Sequence, residues 1–154
     1  MPDIITLFLW FIIYSFLGWV WETSFCSIRA RHFINRGFLN GPIIPVYGFG
    51  AVFVIIALSL LAPYIPHHLP LIDIPLVFLA GMIICTILEY ITAVILESAF
   101  HIRWWDYSKQ RINFQGRICL KSALFFGLMS VIIIYTVQPL ISYASVNIPE
   151  NIEN

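Results

Sequence analysis

Four stretches of this chain, at about 4–28, 43–61, 74–100 and 118–143, are each apolar over the length that a bilayer demands. A transmembrane helix needs about 20 mostly apolar residues, because its rise of about 1.5 Å per residue must cover about 30 Å of hydrocarbon. Composition excludes the soluble alternative. Hydrophobic residues make up 60% of the chain and charged residues 10%, against about 45–50% and 25% in soluble domains. A soluble domain of 154 residues keeps too much surface in water to hide so many apolar side chains. The predicted fold is therefore an all-α integral membrane protein with four transmembrane helices, a single domain over 1–146 followed by a short polar tail at 147–154.

The connections between the stretches carry the orientation. Every Lys and Arg lies in or beside two of them: Arg29, Arg31 and Arg36 in the first, and Arg103, Lys109, Arg111, Arg117 and Lys121 in the third. The positive-inside rule predicts that both face the cytoplasm, with both termini outside a bacterial cell membrane. Between the second and third stretches, Pro63, Pro66, Pro70 and Pro75 exclude a continuous helix. The first stretch lacks a basic leader and a small-residue cleavage site, so it reads as a retained span rather than a signal peptide.

An offset of 75 residues relates Glu22 to Glu97, Arg36 to Arg111, Asn40 to Gln115, Gly41 to Gly116 and Ile43 to Ile118. Such an offset is what two helical hairpins of the same orientation would leave, a parallel repeat about an axis along the membrane normal.

Three carboxylates fall inside the apolar stretches: Glu22, Glu89 and Glu97. A charge at the centre of a span costs about 2.5–3.5 kcal/mol on insertion scales, so such a residue faces the bundle interior and has a partner. Glu22 and Glu97 lie within reach of the basic loops, and the repeat makes Arg36 and Arg111 their natural partners. Glu89 is deeper, about 12 Å from Glu97 along the helix and on nearly the same side. Thr86, Tyr90 and Ala93 extend this stripe, and Tyr14, Ser15, Gly18 and Glu22 make a similar one on the first span. The candidate substrate or ion pathway is thus Glu22, Glu89, Glu97, Tyr14 and Tyr90. The plainer reading of the same residues is a set of structural ion pairs and hydrogen-bonded carboxyls.

Segment 35–50 places four glycines and two prolines against Arg36, Asn40 and Tyr47, which dictates an irregular path tolerated at membrane depth only beside protein or a water-lined cavity. The third connection offers Trp105, Asp106, Tyr107, Asn113, Arg111 and Arg117. Tryptophan and tyrosine beside charges are ordinary interfacial anchors, yet the added donors and acceptors exceed what an anchor requires. Two helix N-termini also point at this layer, so it should favour an anion, either a small phosphate or a phosphate-bearing lipid. The sharpest expectation is that Arg36, Asn40 and Tyr47 face Asp106, Asn113 and Arg117 across a shared pocket floored by Glu22 and Glu97.

Much chemistry has no support. Walker, HExxH and GxSxG motifs are missing, and no histidine–acid spacing suits a metal, so neither a metal nor a cofactor is expected. Cys26, Cys85 and Cys119 are an odd count within or beside apolar runs and read as packing residues. His67 and His68, in the proline-rich connection, read as solvated. The basic residues sit at membrane borders, which leaves nucleic acid without a site.

The segments 11–22, 36–42, 45–50, 88–90, 104–108 and 113–120, which hold Gly41-Pro42, Trp104-Trp105-Asp106-Tyr107 and Gly116-Arg117, resemble the bacterial type IV ABC-transporter-like (CmpB-like) membrane family. Members often carry a cysteine before the second proline, where this chain has Ile44. The resemblance implies a membrane subunit of a transporter, with the ATPase on another chain. Short loops leave little cytoplasmic surface for coupling, so a second copy or a partner membrane subunit is implied as well. Three functions stay open: a transport subunit, which the carboxylates and the resemblance favour; a membrane-embedded enzyme acting on a phosphorylated lipid head group, with Asp106 or Glu22 as general base; and a non-catalytic assembly or regulatory partner.

Overall fold

A computed structural model of the protein describes residues 2–38, 41–61 and 70–146. Helix α1 (Ile4–Ala30) starts where the Asp3 carboxylate accepts from the Thr6 amide at 2.9 Å, and ends where Arg31 turns into the left-handed conformation. Helices α2 (Pro45–Leu61) and α3 (Pro70–Phe100) both open on proline, whose missing amide is not needed in a first turn. The expectation that Pro70 and Pro75 exclude a helix is corrected: α3 begins at Pro70 and continues through Pro75, with its apolar span from Asp73. Near a helix start Pro75 forfeits only the bond back to Leu71, so the cost of an internal proline is reduced. Among the predicted features, Asn40, His67, His68, the prolines at 63 and 66 and the tail at 147–154 lie outside the described residues.

The architecture is all-helical, as expected, with one two-stranded antiparallel ribbon, β1 (Asn113–Phe114) and β2 (Ile118–Cys119), set into the loop before the last helices. The ribbon pairs Asn113 with Cys119 and Phe114 with Ile118, and so removes residues 118–119 from the predicted fourth span. Helix α4 (Leu120–Ile132) follows, capped by Cys119, whose Sγ accepts from the Ser122 amide at 3.4 Å. A π turn at Ile133–Val137 then leads into α5 (Gln138–Val146). The wider turn comes just before Pro139, which cannot supply the next helical amide, and the Gln138 amide bonds to the Ile133 carbonyl, five residues back.

Among the described residues, three segments are long and apolar enough to cross a membrane: Ile4–Ala30, Asp73–Phe100 and Leu120–Tyr143. The fourth apolar helix, α2, is shorter at 17 residues. Helix α1 packs on α2, α2 on α3 and α3 on α4, through small residues that let backbones approach, as apolar surroundings favour. Gly48 of α2 lies against Ser15 and the Phe11 carbonyl of α1, and Gly81 of α3 lies against Ser130 of α4. Buried Trp10, Tyr14, Val52 and Ile55 form a core onto which Ile133, Ile134, Val137 and Ile141 pack. Helices α2 and α4 begin at Pro45 and Leu120, an offset of 75 residues.

Candidate functional site

Both basic loops fold back along the helix that precedes them. In the first, the Ile34 amide donates to Ser27 Oγ at 2.9 Å and the Arg36 amide to Thr23 Oγ1 at 3.3 Å. Trp19 Nε1 donates to Asn35 Oδ1 at 2.7 Å, and the Ile44 amide to the Ser15 carbonyl at 3.0 Å. Each contact lies about one turn further back along α1. Helix α2 therefore starts beside the middle of α1, which explains its shortness and sets Tyr47 over Gly18, where a Cβ would lie 2.5 Å from the ring. The Tyr47 hydroxyl donates to Glu22 Oε2 at 3.0 Å while Arg36 Nε holds Oε1 at 3.1 Å.

The second loop builds a larger ion-pair cluster. Arg117 Nη2 and Nε donate to Glu97 Oε2 at 2.6 and 2.9 Å, and Arg103 Nε reaches Oε1 at 3.1 Å. Arg103 also contacts Asp106 at 3.6 Å and donates to the Gln115 carbonyl at 2.8 Å. Arg117 bonds the Gln115 side chain and lies 5.7 Å above the Tyr90 ring. Its hydrogen bond to Glu97 holds the guanidinium still more firmly in the charged form. An open cleft of about 530 Å³ is lined by Glu97, His101, Ile102, Arg103 and Arg117.

Glu89 has a different environment. It is only 5% exposed, accepts from the Tyr107 hydroxyl at 2.9 Å and Ser122 Oγ at 3.1 Å, and has no cation in salt-bridge range among the described residues. Tyr107 belongs to the loop and Ser122 to the first turn of α4, so three consecutive segments converge on one carboxylate. Burial first, and then the adjoining carboxylate, push the Tyr107 phenol above its ordinary range, so it stays a donor.

Several expected placements are corrected. The Glu22–Arg36 pair is present, but Glu97 takes Arg103 and Arg117 in place of Arg111, which is exposed two residues before the ribbon, while the ribbon's turn holds Arg117. The hydrogen bonds of Asp106 and Asn113 are made within their own loop. Asp106 Oδ1 accepts from the Ser108 amide and hydroxyl, at 2.9 and 2.6 Å, and these bonds hold its carboxyl below the ordinary range. Asn113 donates to the Gln110 carbonyl at 2.7 Å and accepts from the Gly116 amide at 2.9 Å. Trp105 Nε1 closes the same loop on the Arg117 carbonyl at 2.8 Å. The two loops meet instead through Phe38 and Trp104, whose ring centroids are 6.3 Å apart.

Tyr90 joins the Glu97 cluster, donating to Gln115 Oε1 at 3.1 Å. Tyr14 sits apart in the apolar core, its hydroxyl 2.6 Å from Gln138 Oε1. Sequence reasoning missed Ser122, although a usable signal existed: it follows Tyr47 by 75 residues, and each hydroxyl donates to a carboxylate of the preceding helix. Among the described residues no three His, Cys, Asp or Glu side chains gather as a metal centre.

A sequence profile of the family described as "Putative ABC-transporter type IV" matches residues 9–154. Comparison with curated proteins and with solved structures gave no match.

Proposed function

The chain belongs to the type IV ABC-transporter family, and from that premise we propose that it is a transport subunit of the bacterial cell membrane in which Glu89 is the working carboxylate. In this reading all four apolar helices span the bilayer as two hairpins of the same orientation, the basic end is cytoplasmic and both termini are outside. The family membership supports a membrane setting and partner subunits. An ATPase partner or a second copy would supply the coupling surface that short loops do not.

One observation carries the assignment of Glu89. The other two intramembrane carboxylates are neutralised by arginines, whereas Glu89 is buried and, among the described residues, held by two hydroxyl donors with no cation in salt-bridge range. A buried carboxylate without a fixed cation is available to a mobile one: a proton, a metal ion or the ammonium group of a solute. Glu22 and Glu97 then brace the two loops beside it, and the unpaired cations of the basic end give that layer its preference for anions. The same geometry weighs against Asp106 as the general base of a lipid-acting enzyme, since its carboxylate is engaged by its own loop. Solute movement in membrane vesicles carrying Glu89→Gln at wild-type abundance tests the reading. Loss of movement supports it, and unchanged movement removes Glu89 from the path.

A further inference from the structure

The cations of the basic end divide into two groups. Arg36, Arg103 and Arg117 are each bonded to a carboxylate. Arg29, Arg31, Lys109, Arg111 and Lys121 are exposed and make no ion pair among the described residues. All of these but Lys109 stand within two residues of an exposed apolar side chain. Ile28 is 78% exposed beside Arg29, Phe33 is 72% exposed two residues beyond Arg31, and Ile112 is 65% exposed beside Arg111. Leu120, beside Lys121, is 44% exposed. A cation next to a greasy side chain suits the boundary between phosphate head groups and acyl chains, where the charge meets the anion and the apolar group stays out of water.

We propose that Arg29, Arg31, Arg111 and Lys121, with Ile28, Phe33 and Ile112, form a rim that binds anionic phospholipid head groups around the basic end. Charge complementarity decides the occupant. The four cations of the rim are without carboxylate partners among the described residues and call for anions, and their apolar neighbours call for lipid rather than a free ion. The anion preference therefore resides at the periphery and not in the Glu97 cleft, whose two arginines are already held by Glu97 and Asp106. The rim requires only that the chain be embedded in a bilayer, so it stands or falls separately from the role of Glu89.

The test is native mass spectrometry of the full chain in detergent, offered phosphatidylglycerol or phosphatidylcholine at equal concentration. Retention of phosphatidylglycerol over phosphatidylcholine is expected, falling about fivefold for each cation neutralised in a variant carrying Arg29→Gln, Arg31→Gln, Arg111→Gln and Lys121→Gln. Arg36→Gln, which removes a paired cation, should leave retention unchanged. If the fourfold variant does not fold, the two double variants, one per loop, provide the same comparison. Equal retention of the two lipids, retention undiminished in the variants, or displacement of the lipid by millimolar inorganic phosphate would overturn the rim.

Discussion

The Tyr107 hydroxyl donates to Glu89 Oε1 across 2.9 Å, tying a loop residue to the interior of α3. Removing that donor with Tyr107→Phe leaves Ser122 as the remaining donor to the carboxylate. A hydrogen bond to a charged group is worth about 1.5–3 kcal/mol, and that loss is the expected destabilisation, read from unfolding of the detergent-solubilised chain. Ser122→Ala should cost a similar amount. The double variant should depart from additivity, because both hydroxyls serve one acceptor.

Glu97 and Glu22 should respond differently to neutralisation. Glu97→Gln removes a carboxylate shared by two arginines, leaving Arg117 without one and Arg103 with Asp106 alone, whereas Glu22→Gln takes the carboxylate from Arg36 only. All of these side chains keep some solvent contact, so each pair is worth about 1 kcal/mol or less. The Glu97 variant should still lose more stability than the Glu22 variant. Denaturation of the two variants at low and at high salt would show the gap and its narrowing by screening.

Gly116 adopts φ +67° in the ribbon turn, and a Cβ there would lie 2.5 Å from Ser108 Oγ and 2.9 Å from Asp106 Oδ1. Gly116→Ala therefore combines backbone strain with a steric clash at the group that holds Arg103. A loss of about 1–3 kcal/mol is expected locally. Faster trypsin cleavage at Lys109 and Arg111, with the helices left intact, is the signature to look for.

The Asp106 turn should be sensitive to acid in one direction only. Its carboxyl is held below the ordinary 3.8 by the Ser108 hydroxyl and amide. A depressed carboxyl contributes stability while ionised, so the contribution is complete above about pH 4 and disappears as pH falls through the lowered folded value. The Ser108 amide resonance should follow that titration and lose it in Asp106→Asn. A transition centred above the ordinary value would contradict the hydrogen bonding described.

How much of this was legible beforehand differs from residue to residue. The apolar lengths located α1 and α3 because burying backbone in lipid leaves few alternatives to a helix. Glu22 and Arg36 were legible as partners because the loop between them is short. Glu97 was not, since its choice among Arg103, Arg111 and Arg117 depends on a two-residue ribbon whose pairing has no periodicity to read. Tyr107 was visible as a candidate but its target was not: only the folding-back of the loop brings it to Glu89. Pro75 misled, because its effect depends on its distance from a helix start that sequence did not fix. Pro139 marked a disturbance in the last apolar stretch, but not that it would take the form of a π turn or that Gln138 would meet Tyr14.

The most direct test of the central claim is solute flux in inverted membrane vesicles containing the chain with its native partners, energised with ATP and surveyed across protons, metal cations and small amines. The account predicts that wild-type vesicles move one of these above empty vesicles. Glu89→Gln should lower that flux at least tenfold at equal protein abundance, while Glu22→Gln and Glu97→Gln should lower abundance more than flux per molecule. Flux in Glu89→Gln equal to wild type, or wild-type vesicles indistinguishable from empty ones, would contradict it.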